Sequence, residues 1–193
     1  MSTRSSAIVR LVASVSVLVL VAAGVAEAKK DYLARFSGKA MSLAAAGMGS
    51  TTVEIGITRW TTDQERQQLL DILTKDGSKG LSKALEDQPE HGYIRTNNTG
   101  TRTLRYARES MVEGRRRIVV ATDRLMTAYE TMNPTRSEEY TMSVAVLSLD
   151  SDNTGDGQIF PAMELTVDEL TKTLEAKNFT AQPIRLVDLH PRK

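Results

Sequence analysis

Apolar residues return at every second position along most of this chain, and at every third or fourth in one stretch only. The clearest case is TTVEIGITRW, residues 51–60. Val53, Ile55 and Ile57 share one face; Glu54, Gly56 and Thr58 share the other. Side chains alternate across a strand, so this reads as a strand with one face buried. A chain dominated by that period must pair strands over an apolar face.

The pattern recurs after His91. GYIRT (92–96), TLRYAR (103–108), RRRIVVATD (115–123), YTMSVAVLSL (140–149), QIFPAMELTV (158–167) and PIRLVDL (183–189) all read as strands. Residues 31–43 make a weaker one. NNTG, MVEG and DSDNTGDG are turns by composition. TLRYAR and RRRIVVATD lie a few residues apart around Gly114, the spacing of a β-hairpin. Pro161 cannot donate to a ladder, which argues for an edge position or a bulge. Residues 127–138 carry no clean period, and Pro134 breaks them.

The period changes once. Thr62 and Glu65 have capping-box spacing, and Asp63 places an anion in the first helical turn. Leu69, Leu70, Ile72 and Leu73 form a stripe, and Gly77 is a stop signal. Leu81, Ala84 and Leu85 sketch a second short helix before Pro89. Residues 63–87 are therefore expected to form a two-helix hairpin inserted between strands. Residues 166–179 stay open between a helix capped by Thr166 and Glu169 and a turn followed by strand TLEAKNF. The expected fold is a β-rich α+β domain, an antiparallel sheet or sandwich with the inserted hairpin.

The N-terminus belongs to a different problem. Arg4 and Arg10 precede an apolar run at residues 11–25, and Ala26-Glu27-Ala28 has the A-x-A cleavage pattern. That is the anatomy of a secretory signal peptide over residues 1–28, and a run of about fifteen residues falls short of the roughly 20 needed to span a bilayer. Cleavage would leave residues 29–193 as one secreted domain with no stable membrane span. Lys plus Arg then falls from 25 to 23 and Asp plus Glu from 24 to 23, so the domain is nearly neutral. Such a domain has no global field to steer it onto nucleic acid. The chain has no cysteine, which excludes disulfides and thiolate chemistry. A periplasmic or secreted bacterial protein fits these features.

Read in order, ARFSGKA (34–40), TRWTTDQERQQLLDIL (58–73), GYIRT, LRYAR (104–108), GRRRIVVATDR (114–124) and LEAKNFTAQPIRL (174–186) resemble a family of exported bacterial proteins of unknown function. The resemblance implies one secreted domain and a hairpin, not a helix, around Asp168. It implies no activity.

Several groups remain as candidates for chemistry. His91 and His190 lack a second histidine at ligand spacing and read as solvent-facing. No GxSxG elbow or phosphate-binding glycine loop exists. A metal-assisted hydrolase would need one of these histidines beside carboxylates. Asp150, Asp152 and Asp156 supply hard oxygens for calcium, the only cofactor suggested, but Thr154 and Pro161 stand where an EF-hand needs ligands. A tight turn explains the same residues. Trp60, on the Glu54 face if alternation persists, reads as packing. Arginines cluster between residues 95 and 124. Alternation puts Arg115 and Arg117 with Val119, and Arg116 with Ile118 and Val120, while Arg105 opposes Leu104 and Tyr106. Arg105, Arg115 and Arg117 are the candidates for an anionic ligand or an envelope partner. The leading expectation is a non-catalytic binding or structural module; a metal-assisted hydrolase and a calcium-stabilised module are the alternatives.

Overall fold

A computed structural model describes residues 31–42, 49–97, 100–124, 142–167, 174–178 and 183–192. The elements run β1 (Ala34–Ser42), β2 (Gly49–Ile57), α1 (Asp63–Glu86), β3 (Gly92–Thr96), β4 (Gly100–Leu104), β5 (Tyr106–Val112), β6 (Arg115–Thr122), β7 (Met142–Leu149), β8 (Gly155–Val167), β9 (Leu174–Asn178) and β10 (Ile184–Pro191). The strands form one antiparallel sheet in the order β4-β3-β2-β1-β10-β8-β7-β6-β5, with β9 paired to β8.

The two ends of that order are halves of one bent strand. β4 pairs with β3, and β5 pairs with β6. At Arg105 the chain passes from one partner to the other: His91 N donates to Leu104 O at 2.8 Å, and Arg105 N donates to Ala121 O at 2.9 Å. The sheet therefore curls into a nearly closed barrel, its nine ordered strands filling eight positions around the wall. A barrel of that size has room for a filled core of side chains. Here Val53, Ile57, Leu104, Ile118, Val120, Leu147 and Leu149 are buried within it. The Val53–Ile55–Ile57 face read from the alternation is this inner face.

The β5–β6 hairpin turns on Glu113 (φ 51°) and Gly114 (φ 78°). Two positive-φ residues are what a type I′ turn needs, and its twist suits paired strands. The turn is thus shorter than MVEG, for Met111 and Val112 belong to β5. β8 carries a bulge against β7: Met142 faces Met163, and Val144 faces Phe160. Pro161 lies within it, one of the two places its sequence permitted. Leu174–Asn178 is a strand antiparallel to β8, so the strand reading of TLEAKNF holds. Residues 168–173, 127–138 and the NNTG residues 98–99 lie outside the described residues.

The helical stretch differs from expectation. Thr62 caps α1, with its hydroxyl accepting from Glu65 N and the Glu65 carboxylate accepting from Thr62 N. Gly77 does leave helical geometry (φ 68°, ψ −165°), but it kinks one helical element, and no hairpin forms. The reason lies in the stripes on either side of the kink. Leu69 and Leu73 before it, and Leu81 and Leu85 after it, all pack into one cluster with Ala121, Met142, Val144 and Met163 on the outer wall of the barrel. Both segments bury their apolar faces against the sheet, so neither needs the other as a partner. β7 is consequently covered on both sides, with Ala145 and Leu147 inward and Met142 and Val144 under the helix.

Candidate functional site

The helix does not fill the space beneath it. Between α1 and the outer faces of β5–β8 lies a groove of about 270 Å³, walled by Leu69, Leu73, Val119, Val144 and Met163 among others. Its polar lining comes from Arg66, on the first turns of α1, and Tyr106, at the start of β5. Burial pushes the Tyr106 hydroxyl pKa up, while the charges of Arg66 and Arg108 and a hydrogen bond from Arg66 pull the other way. The phenol stays neutral and able to donate at physiological pH. Arg108 is turned aside, 2.7 Å from Asp63. The groove can accept an apolar body and offers a cation and a hydroxyl to a polar end. The cavity inside the barrel near Ile94, Leu104 and Ile159 is about 10 Å³, whereas a more open and more polar hollow of about 430 Å³ lies beside Phe36, Arg116 and Arg192.

A second polar cluster lies where the barrel closes. Residues 58–61 cross from β3 to β5: Thr58 N donates to His91 O at 2.9 Å, and Thr61 N donates to Ala107 O at 2.7 Å. The Thr61 hydroxyl accepts from Ala107 N at 3.0 Å. Trp60 packs against the barrel core from this crossing. It is not on the Glu54 face, because β2 ends at Ile57 and the alternation ends with it. Arg59 reaches forward to the Glu65 carboxylate. Partial burial acts to raise the Glu65 pKa, but hydrogen bonds from Thr62 N–H, Arg59 and the Thr62 hydroxyl bring it down to about 2.

His91 sits in this seam with 0 % exposure, which corrects the solvent-facing reading of that residue. Its burial was hidden in the sequence by the flanking Pro89 and Glu90. Desolvation holds its pKa below the usual imidazole value; the hydrogen bond to Pro89 O opposes this, and the Arg59 and Arg105 charges add to it. His190 is exposed on β10, its Nδ1 2.8 Å from Asp188 O. β2 and β1 separate the strands of the two histidines.

The arginine candidates are dispersed. Arg105 lies at the bend, its Nε 3.2 Å from Asp123 and its Nη1 2.8 Å from Gln88 O. Arg115 lies at the other end of the β5–β6 ladder, about 20 Å away at strand rise. Arg115 donates to Asp150 Oδ1 at 2.9 Å and Ser148 O at 2.9 Å, and lies 3.4 Å from Asp156. Arg116 turns the other way, to Glu109 and to Asn153 Oδ1 at 2.7 Å. Arg117 is exposed on the outer face beside Ser110 and Ser148. The triple arginine is thus divided between two faces, as alternation indicated.

The three aspartates are not arranged as a set. Asp150 and Asp156 face Arg115, whereas Asp152 Oδ1 accepts from Thr154 N at 2.9 Å and the Thr154 hydroxyl at 2.7 Å. Those Thr154 hydrogen bonds hold the Asp152 pKa low. Among the described residues, no three acidic or histidine side chains group as a metal site would require. Also among them, no helix is long and apolar enough to cross a membrane. No protein-family model, curated protein or solved structure matches this chain.

Proposed function

We propose that this is an exported, non-catalytic binding protein of the bacterial envelope, and that it takes a small, mainly apolar ligand with an anionic end. The groove of about 270 Å³ between α1 and the barrel wall carries this reading. Concave, mostly apolar sites with a few convergent polar groups are where small ligands bind. Arg66 and Tyr106 supply those groups at one place in the groove. Arg105 and Arg115 are weaker anchors, because each already holds an acid of its own chain. A ligand there would have to displace Asp123 or Asp150. At Arg66, among the described residues, no acid need be displaced, for its partner is the neutral Tyr106 phenol. The signal-peptide anatomy of residues 1–28 supports export.

Titration with an apolar anionic dye such as anilinonaphthalene sulfonate, followed by displacement with a monoacyl carboxylate, tests this. We expect saturable binding that Val144→Trp abolishes by filling the groove and that Arg66→Gln weakens about tenfold. Near-UV circular dichroism confirms that each variant keeps its packing. Binding unchanged in both folded variants sinks the reading.

A further inference from the structure

Two buried nitrogens in the barrel seam have no hydrogen-bond partner among the described residues: Arg59 Nη1 and His91 Nε2. They belong to neighbouring segments, since Thr58 N donates to His91 O. Orphaned polar atoms of this kind are costly, and ordered water commonly satisfies them. The chemistry of the two is complementary. His91 Nδ1 lies 2.8 Å from Pro89 O, and a carbonyl can only accept. The ring proton is therefore on Nδ1, which leaves Nε2 as a lone-pair acceptor. Arg59 Nη1 can only donate. One molecule that accepts from the guanidinium and donates to the imidazole satisfies both.

We propose that a single buried water joins Arg59 Nη1 to His91 Nε2, and that protonation of His91 reverses and weakens this bridge, making the seam a pH-sensitive latch. Protonated Nε2 becomes a second donor; the water can accept from both through its two lone pairs, but its own hydrogen loses the acceptor that neutral Nε2 supplied, and two cations then face one water. The surroundings worsen this. Arg59 reaches the site from the crossing segment, and Arg105 acts from the bend. On the α1 side stands Glu65, already held by Arg59 and Thr62. Asp123 is held by Arg105. Among the described residues, Glu65 favours the charged ring, but the Arg59 charge opposes it more strongly. The strain falls on the hydrogen bonds that tie residues 58–61 to His91 and Ala107, and so on the anchorage of the α1 N-terminus.

Two measurements on the full secreted domain test the latch. Nitrogen NMR at about pH 7.5 should show His91 as the Nδ1–H tautomer with a long-lived water contact at Nε2. Amide protection at Thr58, His91 and Thr61 should fall roughly tenfold between about pH 7.5 and 5, while Ile118 and Val120 change little. In His91→Gln, neutral throughout, the selective fall should disappear. An Nε2–H tautomer in the unaltered protein overturns the proposal whether or not the variant folds. So does protection that fails to change with pH, or that changes equally in seam and barrel.

Discussion

Arg115 Nε lies 2.9 Å from Asp150 Oδ1, so the cation at the acidic β7–β8 turn is a guanidinium of the same chain. Arg115 from the expected anion site and Asp150 and Asp156 from the expected calcium loop are each other's partners. Millimolar calcium should therefore raise the melting temperature of the unaltered protein by less than about 1 °C. Arg115→Ala should change stability little, as exposed pairs do, and should increase the response to calcium. Differential scanning calorimetry with and without the ion decides this. A large gain in the unaltered protein, lost in Asp152→Ala, would restore the calcium-stabilised alternative.

Glu65 joins the helix cap to the seam through Thr62 and Arg59. Glu65→Ala should destabilise by roughly 2 kcal/mol, since a cap and a partly buried ion pair go together. The folded pKa of about 2 lies below the ordinary carboxyl value of 4.5. Its contribution is full above the unfolded value and is lost as pH falls from about 4.5 towards 2. Urea titrations across that window should show the loss, and Glu65→Gln should flatten it.

His91 acts in a higher window. Its folded pKa is lowered from 6.5, so the unfolded chain takes up the proton more readily. Its contribution is complete above the unfolded value and declines as pH drops below it. His91→Gln should reduce the slope of stability against pH between about 7 and 5. An unchanged slope would exclude His91 as the titrating group.

Gly92 allows the close approach of β3 to β2. A Cβ there would lie 1.9 Å from Gly56 O, and the residue has φ 139°. Gly92→Ala should cost more than about 3 kcal/mol, combining a backbone clash with a conformation closed to L side chains. Chemical denaturation measures it; a cost below 1 kcal/mol would mean that the seam relaxes freely.

Local rules exposed some of this architecture and missed the rest. Val53, Ile55 and Ile57 announced their inner face, and Thr62 with Glu65 announced the helix start, because each signal lies within a few residues. Leu104 and Ala107 both point inward across the bend at Arg105. That breaks the period used to read TLRYAR as one straight strand. The bend makes sense only with β3 on one side and β6 on the other. The groove was unreadable for the same reason, since Arg66, Tyr106, Val144 and Met163 converge only through tertiary pairing. Gly77 carried a true stop signal, but the choice between hairpin and kink depended on an outer sheet face that the helix itself could not reveal.

β10 is zipped between β1 and β8, and Arg192 N donates to Arg35 O at 2.9 Å. Among the described strands, the last in sequence is therefore an internal stave, flanked by the first. No segment that stops short of β10 can complete the wall, however long it waits. Closure has to follow the arrival of β10, and its contacts span almost the whole described sequence, the kind of pairing that slows folding.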